Sequence, residues 1–528
     1  MMRIGIDVGG TNTDAVLMQN GQVLASHKTP TTRDIASGLV RALEAVLPTS
    51  GHERIAAIII GTTQLTNALV ERRHLQHVGV IRIGLPAAIA LPPMVGWPTD
   101  LVQAIGQHVV MVHGGHECDG RPIGPLDEAA VLDAAHGFRR AGVGSVAIAS
   151  IFSPIARFHE ERVAALVRSV IPQAELTLSA DLGTLGLLER ENAAIINAAL
   201  AGAAAEIVGS FDRALASLAL ETPVYLTQND GTLMDSARAR RFPVLTFASG
   251  PTNSMRGAMR LSGETDAIVV DIGGTTSDIG ALVKGYPRQA SGAVDVGGVR
   301  TSFRMPDLLT IGIGGGSIVM PGEPIHVGPR SVGYELTHRS RCFGGDVLTA
   351  TDIAVALGRT GIGNASHLVG LDEDLLRRAD ARIHADIEAG IDRVKTLRGD
   401  APVVLVGGGA MLVHHPLRGA SRTVTPPHSG VANAVGAAAA QVGAEIDRVV
   451  KIPPGSRDAV MRGLQDAAIA AAYEAGALTG SVDILHVDEI PIPYAADGAR
   501  RVLIKAVGEL DAMRFRRLRG AVREGVGT

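Results

Sequence analysis

Apolar positions along the chain gather into short aliphatic runs bounded by glycine, and one such arrangement occurs twice. Aliphatic residues 4–6 lead into Asp7-Val8-Gly9-Gly10-Thr11-Asn12-Thr13-Asp14 and a second apolar run at 15–17. Residues 268–270 lead into Asp271-Ile272-Gly273-Gly274-Thr275-Thr276-Ser277-Asp278 and a run at 279–283. Both copies read D-h-G-G-T-x-[ST]-D, and apolar runs on either side of a glycine pair predict strand, tight turn, strand. After the first copy, Asn20-Gly21 predicts a further hairpin before residues 23–25. A dinucleotide fingerprint needs its glycine loop to open a helix, whereas this loop turns back into a strand.

The remaining pattern alternates helix and strand. "DIASGLVRALEAVLP" has helical spacing, and "RIAAIIIGTTQLTNALVERR" reads as a buried strand entering a helix through a Thr-rich turn. "LDEAAVLDAAHGFRRAGVGSVAIASIFSP" and "HEERVAALVRSVIPQAELTLSA" each run helix then strand. "ERENAAIINAALAGAAAEIVGSFDRALASLAL" is the longest helical pattern and is expected to cross between lobes. "SGVANAVGAAAAQV" predicts a small-residue helix able to pack closely on another. The expected architecture is α/β, with two similar lobes facing across a cleft. Residues 1–190 form the first lobe, 191–440 the second, and 441–528 a C-terminal appendix.

Composition narrows the function. Of 528 residues, 46% are apolar and 19% charged, as in a globular α/β protein. Aromatics are 3%, which argues against surfaces that stack sugars or single-stranded bases. The net charge of -4, with no long Lys/Arg run, argues against nucleic acid. Cys118 and Cys342 are too few for a disulfide framework and fit a reducing compartment. The opening "MMRIGID" is already strand-like, and no membrane span is expected; the chain reads as cytoplasmic.

The repeated motif carries what a polyphosphate requires. Glycines let backbone N–H groups approach, hydroxyls join them, and carboxylates hold Mg²⁺. Gly407-Gly408-Gly409 follows the strand "VVLV" and offers a place for a nucleoside; Gly314-Gly315-Gly316 follows "LTIGI" and suits either the substrate end of the cleft or the phosphates. "HGGHEC" (His113 to Cys118) lacks helical ligand spacing and reads as a polar surface loop rather than a zinc site. His414-His415 lies close enough to the third glycine cluster to approach a nucleotide, although exposed paired histidines are commonly inert.

Two such hairpins, a long helix, the late "VGGGA" and the small-residue helix resemble the two-lobed ATP-binding fold of actin, Hsp70 and sugar kinases, with duplicated ribonuclease-H-like lobes. Within it, "IGIDVGGTNTDAVL", "GTTQLTNALVERR", "DIGGTTSDIG", "LTIGIGGGSI" and "GGDVLTATDIAVALGR" resemble the A-type chain of the hydantoinase/oxoprolinase family across residues 3–440. The resemblance implies ATP-driven opening of a cyclic amide such as hydantoin or 5-oxoproline, its oxygen activated by phosphorylation, within an oligomeric assembly that includes a companion B subunit. A small-molecule kinase and a reactivating ATPase acting on a partner protein are the alternatives.

By that resemblance, Asp7 and Asp271 face the metal-bound phosphates. Gly9, Gly10, Thr11, Asn12, Gly273, Gly274, Thr275 and Thr276 contact the nucleotide, with Gly314 to Gly316 and Gly407 to Gly409 completing its site. Asp14 and Asp278 are further metal partners or a base, or else Asp residues that close a turn. Thr62, Thr63 and Asn67 suit a neutral lactam edge, or cap the helix that follows. Where longer members of the family carry a G-P-x-C-Y-G-R-G-G-like segment, this chain has "HRSRCFGGD", keeping Cys342 as a nucleophile, a ligand or a small buried residue.

Overall fold

The computed structural model describes residues 2–10, 12–31, 34–48, 55–183, 185–290, 292–396, 398–453, 455–492 and 499–511. The chain opens with an antiparallel meander, β1 (Met2–Val8), β2 (Asn12–Gln19) and β3 (Gln22–Pro30), then α1 (Ile35–Val46), β4 (Ile55–Thr62) and α2 (Gln64–Val70). The Asn20-Gly21 turn forms as expected: both residues have positive φ, at 50° and 82°, and Gln19 pairs with Gln22. A second unit follows: β5 (Val78–Leu85), α3 (Thr99–Ile105), β6 (His108–His113), α4 (Glu128–Arg140), β7 (Ser145–Ser150), α5 (Phe158–Val170) and β8 (Glu175–Leu178). Next come α6 (Leu187–Ser217), β9 (Val224–Thr227), β10 (Thr232–Asp235), α7 (Ser236–Arg241) and α8 (Ser249–Ser262).

The second hairpin is β11 (Ala267–Ile272) and β12 (Ser277–Val283). Short strands β13 (Tyr286–Pro287), β14 (Val294–Val296), β15 (Val299–Thr301), β16 (Leu308–Ile311), β17 (Ser317–Met320) and β18 (His326–Ser331) lead to α9 (Leu336–Arg339), α10 (Ala350–Ala356) and α11 (Glu373–Val394). The chain continues through β19 (Ala401–Val406), β20 (Ala420–Val424), α12 (Ala432–Ala438), β21 (Gln441–Lys451), α13 (Arg457–Glu474), β22 (Asp483–Pro491) and β23 (Ala499–Gly508).

Three sheets organise these elements. A nine-stranded sheet has the order β22-β23-β21-β10-β9-β4-β1-β2-β3, a six-stranded one runs β13-β12-β11-β19-β20 with β16 on β12, and a four-stranded parallel sheet runs β6-β5-β7-β8. The lobes therefore do not divide at residues 190 and 440. β9 and β10 return to the first sheet, and the expected appendix supplies three of its strands. β21 and β23 pair from Val442 opposite Gly508 to Lys451 opposite Ala499, with α13 packed over them. β21 was hard to recognise because "QVGAEIDRVVK" is only half-buried and alternates weakly between apolar and polar.

The longest helical pattern is α6, 31 residues long. It lies inside the first half of the molecule rather than crossing between lobes, sharing one core with β1, β4, α1 and strands of the four-stranded sheet. Among the described residues it is the one helix long and apolar enough to cross a membrane, yet 72% of its most apolar window is buried. Its buried polar residues are paired: Arg82 Nε donates to Glu191 Oε1 at 2.6 Å, and both side chains are inaccessible to solvent. Removing one partner of such a pair leaves an uncompensated buried charge.

The two main sheets meet through α8 and α12. α8 packs on β11, β12, β13 and β19 as well as β4, whereas α12 covers β1, β2 and β4. The helices approach so closely that a methyl group on Gly257 would lie 1.8 Å from the Ala432 carbonyl oxygen, and one on Gly436 would lie 1.8 Å from that of Asn253. This contact explains the small-residue helix read from the sequence. Gly257→Ala is expected to lower unfolding free energy by about 2–3 kcal/mol, because the helices must separate to admit the methyl group. A denaturant midpoint equal to that of the unsubstituted chain would refute this packing.

Candidate functional site

Hydrogen-bond register puts the motif carboxylates side by side. In the first hairpin Asp7 stands directly opposite Asp14, which stands opposite Lys28 on β3. In the second, Asp271 stands opposite Asp278, which stands opposite Thr310 on β16. Directly opposed residues share one face of a sheet, so each hairpin presents a carboxylate pair near its tip. The turns close identically: Gly9 N–H donates to Asn12 O at 3.0 Å, and Gly273 N–H donates to Thr276 O at 2.9 Å. Those two donors are spent on the turns, while Gly10, Gly274 and Thr275 lie exposed at the tips. Thr11 falls outside the described residues.

Each leading aspartate fits against a glycine on the neighbouring parallel strand or just past its end. A methyl group on Gly61 would lie 2.9 Å from Asp7 Oδ1, and one on Gly407 would lie 2.3 Å from Asp271 Oδ1. Gly407 thus makes room for a carboxylate. It also holds φ at 86° and donates its N–H to Ser429 O, while Gly409 N–H donates to Ile272 O. Gly408, between them, is exposed beside the second hairpin.

Gly314 to Gly316 are buried and serve differently from expectation. Gly315 and Gly316 donate to the carbonyls of Gly273 and Gly274 at 3.0 and 2.7 Å, and Gly314 donates to Ser317 Oγ at 2.9 Å. With every N–H committed inside the protein, this loop buttresses the second hairpin and has no donor left for a phosphate.

One helix serves both hairpins. Ser254 of α8 hydrogen-bonds Asp271, while the neighbouring Asn253 lies against Gly61 beside Asp7 and donates to Thr227 Oγ1 at 2.9 Å. A methyl group on Gly250, in the first turn of α8, would lie 3.9 Å from Asp7 Oδ1. The first turn of α8 therefore lies beside this carboxylate. From α12, Asn433 Nδ2 donates to Asp7 Oδ2 at 2.8 Å and also bonds Asp14. Lys28 Nζ sits 2.6 Å from Asp14.

Burial pushes the Asp7 carboxyl up to about 7; the Asp14 charge adds to the rise, the Asn433 hydrogen bond opposes it, and the Asp271 charge raises it further. Asp271 is pushed up to about 6 by burial, held back by Ser254 and raised by Asp278. The Asp14 charge also reaches Asp271, so the two hairpins share one electrostatic site. Burial raises Asp14 against the pull of Lys28, and raises Asp278 against a 2.6 Å hydrogen bond donated by Thr310.

Asp7 Oδ1 is buried without a hydrogen-bond partner. An acceptor left so is rare and fits a cation ligand. The residues therefore suit Mg²⁺ held by Asp7 and Asp271, and a phosphate chain between the exposed tips.

Among the expected substrate residues, Thr62 is buried and its hydroxyl accepts from Gln64 N–H at 3.2 Å. Thr63 occupies the N-cap of α2 without a side-chain cap bond. Asn67 borders the first tip, its Nδ2 being 3.8 Å from where a Gly10 methyl group would lie. Cys342 is fully buried, its thiol pushed up to about 11 by burial, and its N–H donates to Asp352 Oδ1 at 2.7 Å; it is structural. In "HGGHEC", His113, Glu117 and Cys118 are exposed as expected of a surface loop, whereas His116 is buried and packed on His159.

Sequence reasoning missed Lys28, Gly61, Asn253, Ser254 and Asn433. The run "ASGPTNS" ahead of an amphipathic stretch and the lone Asn in an alanine-rich helix were the available signals.

Two α/β lobes joined by a tight helix pair, with an aspartate-tipped hairpin from each directed at one site, define an actin-like ATPase fold. The chain belongs to the hydantoinase/oxoprolinase family: the N-terminal region model matches residues 3–171 and the hydantoinase/oxoprolinase model residues 190–397. It is 30% identical to the alpha subunit of caprolactamase from Pseudomonas jessenii over 67% of this chain and 54% of that one. It is 24% identical to the acetophenone carboxylase gamma subunit of Aromatoleum aromaticum over 67% and 53%. The chain thus spans about half the length of these curated relatives. In fold it matches the crystal structure of the ATP-dependent caprolactamase from Pseudomonas jessenii, with TM-score 0.76 at 21% identity over 96% of this chain and 88% of that one. It also matches nucleotide-free acetone carboxylase, with TM-score 0.67 at 18% identity over 97% and 88%.

The carboxylate pairs generate a stability prediction. Asp7 has a native pKa of about 7 against an ordinary 3.8, so between these values the folded state holds a proton that the unfolded state releases. Without nucleotide or metal, stability therefore falls as pH rises through that window and levels off above it. Asp7→Asn lacks the penalty and is expected to be more stable than the unsubstituted chain at about pH 8, by about 4 kcal/mol, with the difference vanishing near pH 4. Thermal melts across this range check it; equal melting temperatures at the alkaline end would contradict it.

Proposed function

We propose that the chain is the ATP-binding subunit of an enzyme that opens a cyclic amide, a hydantoin, 5-oxoproline or a related lactam, in the cytoplasm. The observation that carries this reading is a pair of directly opposed carboxylates in each of two glycine-turn hairpins, Asp7 with Asp14 and Asp271 with Asp278, whose charges reach across from one hairpin to the other. ATP supplies the phosphoryl group that converts a neutral amide oxygen into a leaving group. Asp7 and Asp271 hold the Mg²⁺ that accompanies it, while Gly10, Gly274 and Thr275 approach the phosphates at the exposed tips. Lys28, tied to Asp14, places a positive charge beside them. Asn67, near the first tip, orients the amide edge through its own amide group. Phosphoryl transfer depends chiefly on such positioning and charge neutralisation.

Family membership and the named activity of the caprolactamase relative support amide chemistry over a sugar-kinase role. Relatives named as subunits, caprolactamase alpha and acetophenone carboxylase gamma, support a companion chain that completes the enzyme.

ATP hydrolysis by the purified chain, alone and with a candidate companion, is measured with hydantoin, 5-oxoproline and caprolactam. The expected result is stimulation by one of them, with ADP, phosphate and opened ring as products. Asp7→Asn and Asp271→Asn are each expected to lower turnover by about 100-fold or more. Accumulation of a stable phosphorylated small molecule identifies a kinase instead, and stimulation by a partner protein without any lactam identifies a reactivating ATPase.

A further inference from the structure

The buried face of α11 carries two polar residues, Asp380 and His384, one helical turn apart. His384 Nδ1 lies 3.0 Å from the Asp380 main-chain oxygen, the geometry of a donated hydrogen bond that leaves the lone pair on Nε2. That Nε2 is buried and has no partner, in a side chain only 4% exposed. Histidines that bind metals commonly donate their other ring N–H to a backbone carbonyl in this way. Facing α11 are His414 and His415, on the segment that leaves Gly407 to Gly409. The His384 and His415 rings stack 3.8 Å apart, His414 is 3.9 Å from His415, and His415 Nε2 is 3.5 Å from Asp380 Oδ2. The other Asp380 oxygen is occupied by Arg359 at 2.6 Å.

We propose that Asp380, His384, His414 and His415 form a structural site for a divalent transition metal of the zinc class, distinct from the carboxylate site at the hairpins. Three imidazole nitrogens and one carboxylate oxygen are a donor set that zinc prefers over magnesium or calcium. One ligand atom from each residue already lies within 4.8 Å of the others. Zinc bonds of about 2.0–2.1 Å place tetrahedral ligand atoms about 3.3–3.5 Å apart. The exposed side chains of His414 and His415 close that gap by rotating. The metal would pin α11 to the segment that begins beside Asp271, thereby bracing the second lobe.

The test uses the 528-residue chain, stripped with a chelator and titrated with zinc alone, with cobalt as a spectroscopic probe. The expected result is one equivalent bound, tetrahedral cobalt d–d bands displaced by zinc, and a raised melting temperature. His384→Ala and His415→Gln are each expected to weaken binding at least about 10- to 100-fold and to abolish the melting shift. If His384→Ala does not fold, the exposed His415→Gln carries the test. Failure of the unsubstituted chain to bind zinc at micromolar concentration overturns the proposal. Equal binding by His415→Gln, which would place the metal on other surface histidines, also overturns it.

Discussion

Like-charged carboxylates gathered at one site repel one another and lose hydration, and the surrounding structure is arranged to hold them there regardless. Asp7 and Asp271 each pack against a glycine, each stand opposite a second aspartate, and are both supported by α8. Lys28 and Asn433 relieve part of the repulsion on the first side, Ser254 and Thr310 on the second. The orphaned oxygen of Asp7 marks what this compensation leaves undone. In the function proposed above, a divalent cation chelated by a phosphate chain would complete it, since its charge offsets the carboxylates and its ligand demands match their free lone pairs.

The same contact that sets the site also joins the lobes. α8 and α12 approach at glycines; α8 sets Asn253 against Gly61, the neighbour of Asp7, and Ser254 on Asp271, while α12 sets Asn433 on Asp7. A change in the angle between the lobes must therefore pass through residues that touch the carboxylates. Nucleotide-dependent closure, common among enzymes that sequester a reaction from water, would be sensed at this helix pair. The four-stranded sheet lies on the far side of α6, attached through the Arg82–Glu191 pair, and so belongs to the first lobe.

Local features were legible in the sequence because their causes are local. The repeated D-h-G-G-T hairpins, the Asn20-Gly21 turn, the 31-residue helix and the close-packing helix at 432–438 each follow from short-range pattern. Features set by distant partners were not. Nothing near Gly61 reveals that it borders Asp7, and Asn433 reaches Asp7 across 426 positions. The buttressing role of Gly314 to Gly316 was invisible for the same reason, since the acceptors of Gly315 and Gly316 are the distant carbonyls of Gly273 and Gly274. Residues 441–528 read as an appendix because the half-exposed strands β21 and β22 lack strong alternation, and only pairing with β10 and β23 reveals them as sheet.

The central claim is that Asp7 and Asp271 act on one shared ligand. A double-mutant cycle on the binding of a magnesium nucleotide, using Asp7→Asn, Asp271→Asn and the combined variant in calorimetry, addresses it most directly. The account predicts strong non-additivity, a coupling of about 1 kcal/mol or more, because either substitution alone disables the same chelate. Losses that add within about 0.3–0.5 kcal/mol, as independent sites would give, contradict it.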